Sequence, residues 1–137
     1  MRLFPDPEVM ESMGVWAVRD AVECGPTLVH KGRIWITDGA EHLRSPAALP
    51  RTFVAYSERQ GVPDRLILCA TVAMEYKDAA EFCMRYFGRE HGIGCWAAMC
   101  LDGGGSTQMA YVKERQVISA VPALTTVPTA VAVWARR

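Results

Sequence analysis

The residues best suited to chemistry lie in Cys100-Leu-Asp-Gly-Gly-Gly-Ser-Thr-Gln-Met-Ala-Tyr111. Three consecutive glycines, Gly103, Gly104 and Gly105, stand between two apolar runs, with Asp102 before them and Ser106 and Thr107 after. Glycine loses the most backbone freedom on folding, so a triple run is costly unless the backbone must approach something closely or adopt dihedrals closed to other residues. Amides freed from side chains can point at an anion. Asp102, at the end of a buried strand, has the chemistry of a general acid, a base or a nucleophile. Ser106 and Thr107 can donate hydrogen bonds to a phosphate or a sugar hydroxyl. The combination points to a phosphorylated or polyhydroxylated ligand, with a plain hairpin turn as the alternative. A nucleotide phosphate loop would need a lysine after the glycines and a following helix, and neither is present. A Gly-x-Ser-x-Gly nucleophile elbow fails because no glycine follows Ser106 at two residues.

Such a loop needs elements to hold it. The run Cys95 to Leu101 reads as a buried strand leading in, and Thr107 to Val112 as the strand leading out, with another over Gln116 to Val121. Ala79, Phe82, Cys83, Tyr86 and Phe87 form one apolar stripe at helical spacing. Asp78 with Glu81 resembles a capping box, and Gly92 and Gly94 close the helix. Upstream, Thr27 to Ile36 reads as a hairpin about Lys31-Gly32. Thr37 to Pro50 reads as a loop. Thr52 to Ser57 and Arg65 to Ala73 read as strands joined through Glu58 to Asp64. The second of these is nearly continuously apolar, which predicts a central place in its sheet. Val15 to Val18 and Thr129 to Trp134 read as further strands. The order predicts an α+β fold, a mixed and largely antiparallel sheet with one principal helix packed on it.

The chain has 137 residues, half of them hydrophobic, which predicts a single domain over 1–137 with a substantial core. Fifteen basic and fifteen acidic residues cancel, which argues against a broad basic face for nucleic acid. Zero net charge gives little protection against self-association, so a homo-oligomer is compatible. No apolar run is long enough to span a bilayer. Pro5, Asp6, Pro7 and Glu8 occupy the place of a signal peptide's apolar region. No secretion signal is therefore expected in the chain itself, and the compartment stays open. The five cysteines, Cys24, Cys69, Cys83, Cys95 and Cys100, lack CxxC spacing and read as reduced, mostly buried thiols. His30, His42 and His91 are scattered and read as surface or capping residues. Trp16, Trp35, Trp96 and Trp134 read mostly as core, and Arg136-Arg137 as a solubilising tail. No cofactor is expected and no metal ligands are assigned, with metal use left open.

Leu101-Asp-Gly-Gly-Gly-Ser-Thr107 after a buried strand resembles the signature of the phosphodiester glycosidase family. The resemblance extends in order through Cys24 to Ile34, Arg51-Thr-Phe-Val-Ala-Tyr56, Arg65 to Val72, the helix with Trp96, and Val127 to Val133, covering about 24–134. It implies hydrolysis of a sugar-1-phosphodiester, releasing the sugar and leaving a phosphomonoester, with a phosphorylated sugar or glycan as the partner. A phosphodiester is anionic, and Arg51 can give bidentate hydrogen bonds to its oxygens. The resemblance places Arg51, Thr52 and the loop from Gly103 to Thr107 around the substrate and makes Asp102 the acid/base or nucleophile. Glycosidic cleavage normally uses a carboxylate pair, and the second carboxylate stays open among Glu58, Asp64, Glu75 and Glu114. The alternative is a noncatalytic glycan- or phosphate-binding module, or a structural piece of a larger assembly. The chain departs from the family pattern at Cys100, where asparagine is usual, and at Thr125-Thr126, where an arginine is usual. The domain also reads as shortened at its N-terminus.

Overall fold

A computed structural model describes residues 24–39, 47–90, 94–122 and 124–134. The strand expected at Val15 to Val18, and His42, His91, Gly92, Trp16, Arg136 and Arg137, fall outside them. Among the described residues seven strands are present: β1 (Thr27–His30), β2 (Arg33–Ile34), β3 (Leu49–Arg59), β4 (Val62–Met74), β5 (Cys95–Gly103), β6 (Met109–Lys113) and β7 (Gln116–Val121). The α-helix among the described residues, α1 (Tyr76–Arg85), continues into a wider π-helical turn over Tyr86–Glu90. Five strands form a sheet in the order β2-β1-β5-β3-β4, and β6 and β7 pair separately. Every pairing is antiparallel. The architecture is α+β, as the pattern of elements predicts.

The core lies between α1 and one face of the five-stranded sheet. Along β3, Arg51, Phe53, Ala55 and Ser57 are buried, the period of two expected of a strand. In β1 a register shift between Thr27 and Val29 lets the consecutive Leu28 and Val29 both bury. The helix turns Tyr76, Ala79, Ala80 and Cys83 inward, and Phe87 follows on the same side. Alanines at 55, 79, 80 and 98 keep helix and sheet close. Phe53 meets Phe82 edge-on at 6.1 Å, and Phe82 stacks on Tyr86 at 5.8 Å. Within this core the Cys83 thiol is pushed far above its usual range by a hydrogen bond with Cys95 and by burial. It is an unreactive packing group.

Several expectations are corrected. Among the described residues β4 lies at the edge of the sheet and pairs with β3 alone. Ile67, Cys69 and Met74 pack on the core, while Val62, Leu66 and Val72 are exposed. A strand apolar on both faces looks central in sequence, and lateral position leaves no mark in its pattern. Thr129 to Trp134 is irregular and exposed, with no ladder to join among the described residues. Trp35 and Trp134 are exposed, not core. The helix begins at Tyr76, with Glu75 as an extended N-cap that makes no side-chain cap. Asp78 lies inside the first turn, where it favours the helix dipole and does not cap. The β3–β4 turn is tighter than Glu58 to Asp64, because Arg59 pairs with Val62 around Gln60-Gly61.

The β1–β2, β3–β4 and β6–β7 turns share one chemistry. Lys31-Gly32, Gln60-Gly61 and Glu114-Arg115 all have positive φ at both positions. That geometry suits the right-handed twist of a hairpin and favours Asn-Gly. Only Glu114-Arg115 manages it without glycine, at φ 51 and 64. The double variant Glu114→Asn, Arg115→Gly is expected to gain about 1 kcal/mol. Urea unfolding should show a raised midpoint at unchanged slope; a midpoint that stays or falls would refute the strain.

Candidate functional site

Arg51 and the glycine loop meet because β3 and β5 are neighbours. Arg51 pairs with Gly103, but Phe53 pairs with Cys100, so β5 carries an extra residue between them. Such a bulge turns a strand and re-aims its side chains. Here it falls at Leu101-Asp102, and Asp102 emerges exposed from a strand that is buried up to Cys100. A second irregularity flanks Arg51 on its other side, where Leu49 pairs with Met74 and Arg51 with Thr71.

Two of the glycines have identifiable causes. A Cβ on Gly103 would lie 3.2 Å from the Pro50 carbonyl oxygen and 3.8 Å from Arg51 Cδ, so closeness to β3 favours glycine there. Gly104 has φ +62, the left-handed region that glycine enters without penalty. The chain then makes one 3-10 turn over Gly104–Ser106, closed by the Thr107 amide donating to the Gly104 carbonyl at 3.2 Å.

These elements enclose a depression of about 320 Å³ lined by Arg51, Thr52, Tyr76, Asp102, Gly103 and Gly104, among others. The remaining loop residues do not line it. Gly105 faces Thr125 and Leu124, and Gln108 Nε2 donates to the Thr125 carbonyl at 3.3 Å. Ser106 is half-buried. Thr107 is buried, with no hydrogen-bond partner for its Oγ1 among the described residues. The Gly103 amide donates to Asp102 Oδ1 at 2.7 Å, so the carboxylate also braces the start of the loop.

Arg51 is 5% exposed, on the same side of β3 as Phe53. Buried arginines need partners for their donors. Nε donates to the Met74 carbonyl at 3.2 Å, Nη2 to the Ala47 carbonyl at 2.9 Å and Nη1 to the Tyr76 hydroxyl at 2.8 Å. The guanidinium carbon also lies 3.9 Å from the Tyr76 ring centroid, within cation–π range. Arg51 thus ties the start of β3 to the end of β4 and the first residue of α1, and brings its charge to the depression.

Tyr76 is one of the lining residues that sequence reasoning missed, with Gly25 and Leu49. Its only signal is an aromatic just ahead of the helical stripe, and its partner lies 25 residues away. Burial raises the pKa of its phenol, against the lowering pull of Arg51, while Cys100 and Asp38 raise it further. The phenol therefore keeps its proton at neutral pH. Asp38, in the loop expected over Thr37 to Pro50, is near enough for its charge to be felt at this ring, although its Oδ1 accepts from the Gly39 amide at 2.8 Å.

The four other acidic candidates lie elsewhere. Glu58 is near the turn end of β3, and Asp64 approaches Arg65 at 3.8 Å. Glu75 is the exposed cap ahead of Tyr76, and Glu114 lies in the β6–β7 turn. Among the described residues no group of three histidine, cysteine or acidic side chains could hold a metal ion. Among the same residues no helix is long and apolar enough to cross a membrane.

An antiparallel α+β domain with a glycine loop at the bulged end of its central strand is the class that this geometry defines. The family model for phosphodiester glycosidase matches residues 5–134, and the chain belongs to that family. The match begins well ahead of Cys24, so it takes in most of the N-terminal part that the motifs alone leave unassigned. No curated protein and no solved structure matches the chain.

Proposed function

We propose that the chain cleaves a sugar-1-phosphodiester, with the depression between β3 and β5 as the site. The observation that carries this reading is the convergence of a buried arginine, an exposed carboxylate and a glycine loop in one cavity. The Arg51 charge, Thr52 and the Gly104 amide hold the phosphate, with Gly105, Ser106 and Thr107 shaping the loop. Asp102 acts on the sugar as acid/base or nucleophile. The anomeric carbon–oxygen bond breaks and the phosphate oxygen keeps the electron pair. Water supplies the hydroxyl of the released sugar and the proton that leaves with the phosphomonoester. Phosphate is a fair leaving group, so one carboxylate can accomplish more here than in an ordinary glycosidase.

A second reading has its own support. Asp102 is the one acid lining the depression among the described residues, and its carboxylate already accepts from Gly103. A noncatalytic module that binds a phosphorylated glycan would need no more than this. Incubating the chain with a panel of sugar-1-phosphodiesters separates the two. Free sugar and phosphomonoester in equal amounts support the hydrolase; saturable binding of the diesters without turnover supports the module.

A further inference from the structure

We infer that Tyr76 is a ligand-binding residue of this site, its hydroxyl donating a hydrogen bond to a phosphate oxygen while Arg51 holds it from behind. The inference rests on the anion reading of the depression and adds to it a group that no motif of the sequence marks.

The geometry runs through one oxygen. Arg51 Nη1 donates to the Tyr76 hydroxyl, which therefore acts as an acceptor on its inner side. A phenol can accept and donate at once. Among the described residues no acceptor takes the Tyr76 proton, although the residue is only 8% exposed and lines the cavity. A guanidinium bonded to a phenol oxygen draws charge from it and strengthens its O–H as a donor, the cooperative effect of a hydrogen-bond chain. The arginine fork is turned largely to the Met74 and Ala47 carbonyls and to Tyr76 itself. Its charge then reaches the ligand through the phenol. The raised pKa of Tyr76 agrees, because a phenol that stays protonated remains a donor beside an anion.

The test is calorimetric titration of the full chain with inorganic phosphate near neutral pH, comparing the native protein, Tyr76→Phe, and the protein carrying 3-fluorotyrosine at position 76. Phenylalanine keeps the ring under the guanidinium and removes the donor. The dissociation constant is expected to rise about tenfold or more, the range for a hydrogen bond to a charged group. Ring fluorination makes the phenol a better donor and a poorer acceptor, so phosphate is expected to bind more tightly. A merely structural tyrosine, acting only as an acceptor for Arg51, gives the opposite sign. Thermal unfolding of each protein reports the structural cost separately. Equal affinity in the native protein and Tyr76→Phe, or weaker binding on fluorination, overturns the role of Tyr76 and leaves the anion site standing. A native protein that binds no phosphate overturns both.

Discussion

Asp102→Asn is expected to lower the rate of sugar release by about 10³-fold, within the range for loss of a positioned acid or base. The change is nearly isosteric. The asparagine carbonyl oxygen can still accept from the Gly103 amide, the bond that Asp102 makes at 2.7 Å. The site is exposed, so unfolding should move by no more than about 0.5 kcal/mol. Folding loss therefore cannot stand in for catalytic loss. The binding side carries a distinguishing sign. Removing a negative charge from the rim of an anion site should leave phosphate affinity equal or improved. A catalytic Asp102 predicts kcat down with KM unchanged or lower. If the variant kept more than a tenth of native turnover, the carboxylate would be a brace for the loop and the reacting group would lie elsewhere. If the variant lost turnover and phosphate binding together, Asp102 would be holding the site's shape.

Much of the candidate site was legible in the sequence, because its features are local. Three glycines in a row between apolar runs announce a backbone requirement, and the structure gives two physical causes, a 3.2 Å approach at Gly103 and a positive φ at Gly104. The helix stripe was legible because Ala79, Phe82, Cys83, Tyr86 and Phe87 recur with one period against a polar background. What depends on partners far along the chain was not. The β3 alternation sets Arg51, Phe53, Ala55 and Ser57 against Thr52, Val54 and Tyr56. Both sets mix apolar and polar residues, so the pattern does not say that Arg51 faces inward. The near-continuous apolar run of β4 could not reveal that β3 is its one partner among the described residues. Tyr76 gains meaning only when β3 brings an arginine under its ring. The bulge that exposes Asp102 is a register event between two strands, and neither strand shows it alone.

Arg51→Met is expected to cost about 3 kcal/mol of stability and to abolish measurable phosphate binding. Methionine fills part of the volume of the arginine stem and cannot hydrogen-bond. The Met74 and Ala47 carbonyls and the Tyr76 hydroxyl would each lose a donor, in a place that is partly or wholly buried. The stacking at 3.9 Å on Tyr76 would go as well. Three segments that meet at one guanidinium would then lose that common tie. Arg51→Lys separates the two roles. Lysine keeps the charge but cannot reproduce a planar fork reaching three acceptors. Its unfolding midpoint in urea should fall close to that of the methionine variant, while part of the phosphate affinity survives. If both variants unfolded at the native midpoint, Arg51 would not be the tie between β3, β4 and α1. If the lysine variant were stable yet bound no phosphate, the fork itself would be contacting the anion, and the relay through Tyr76 would be the weaker route. Stability and affinity thus move together at this one residue. A side chain that closes the core at the end of the sheet also sets the charge of the depression, and the fold cannot relax one without changing the other.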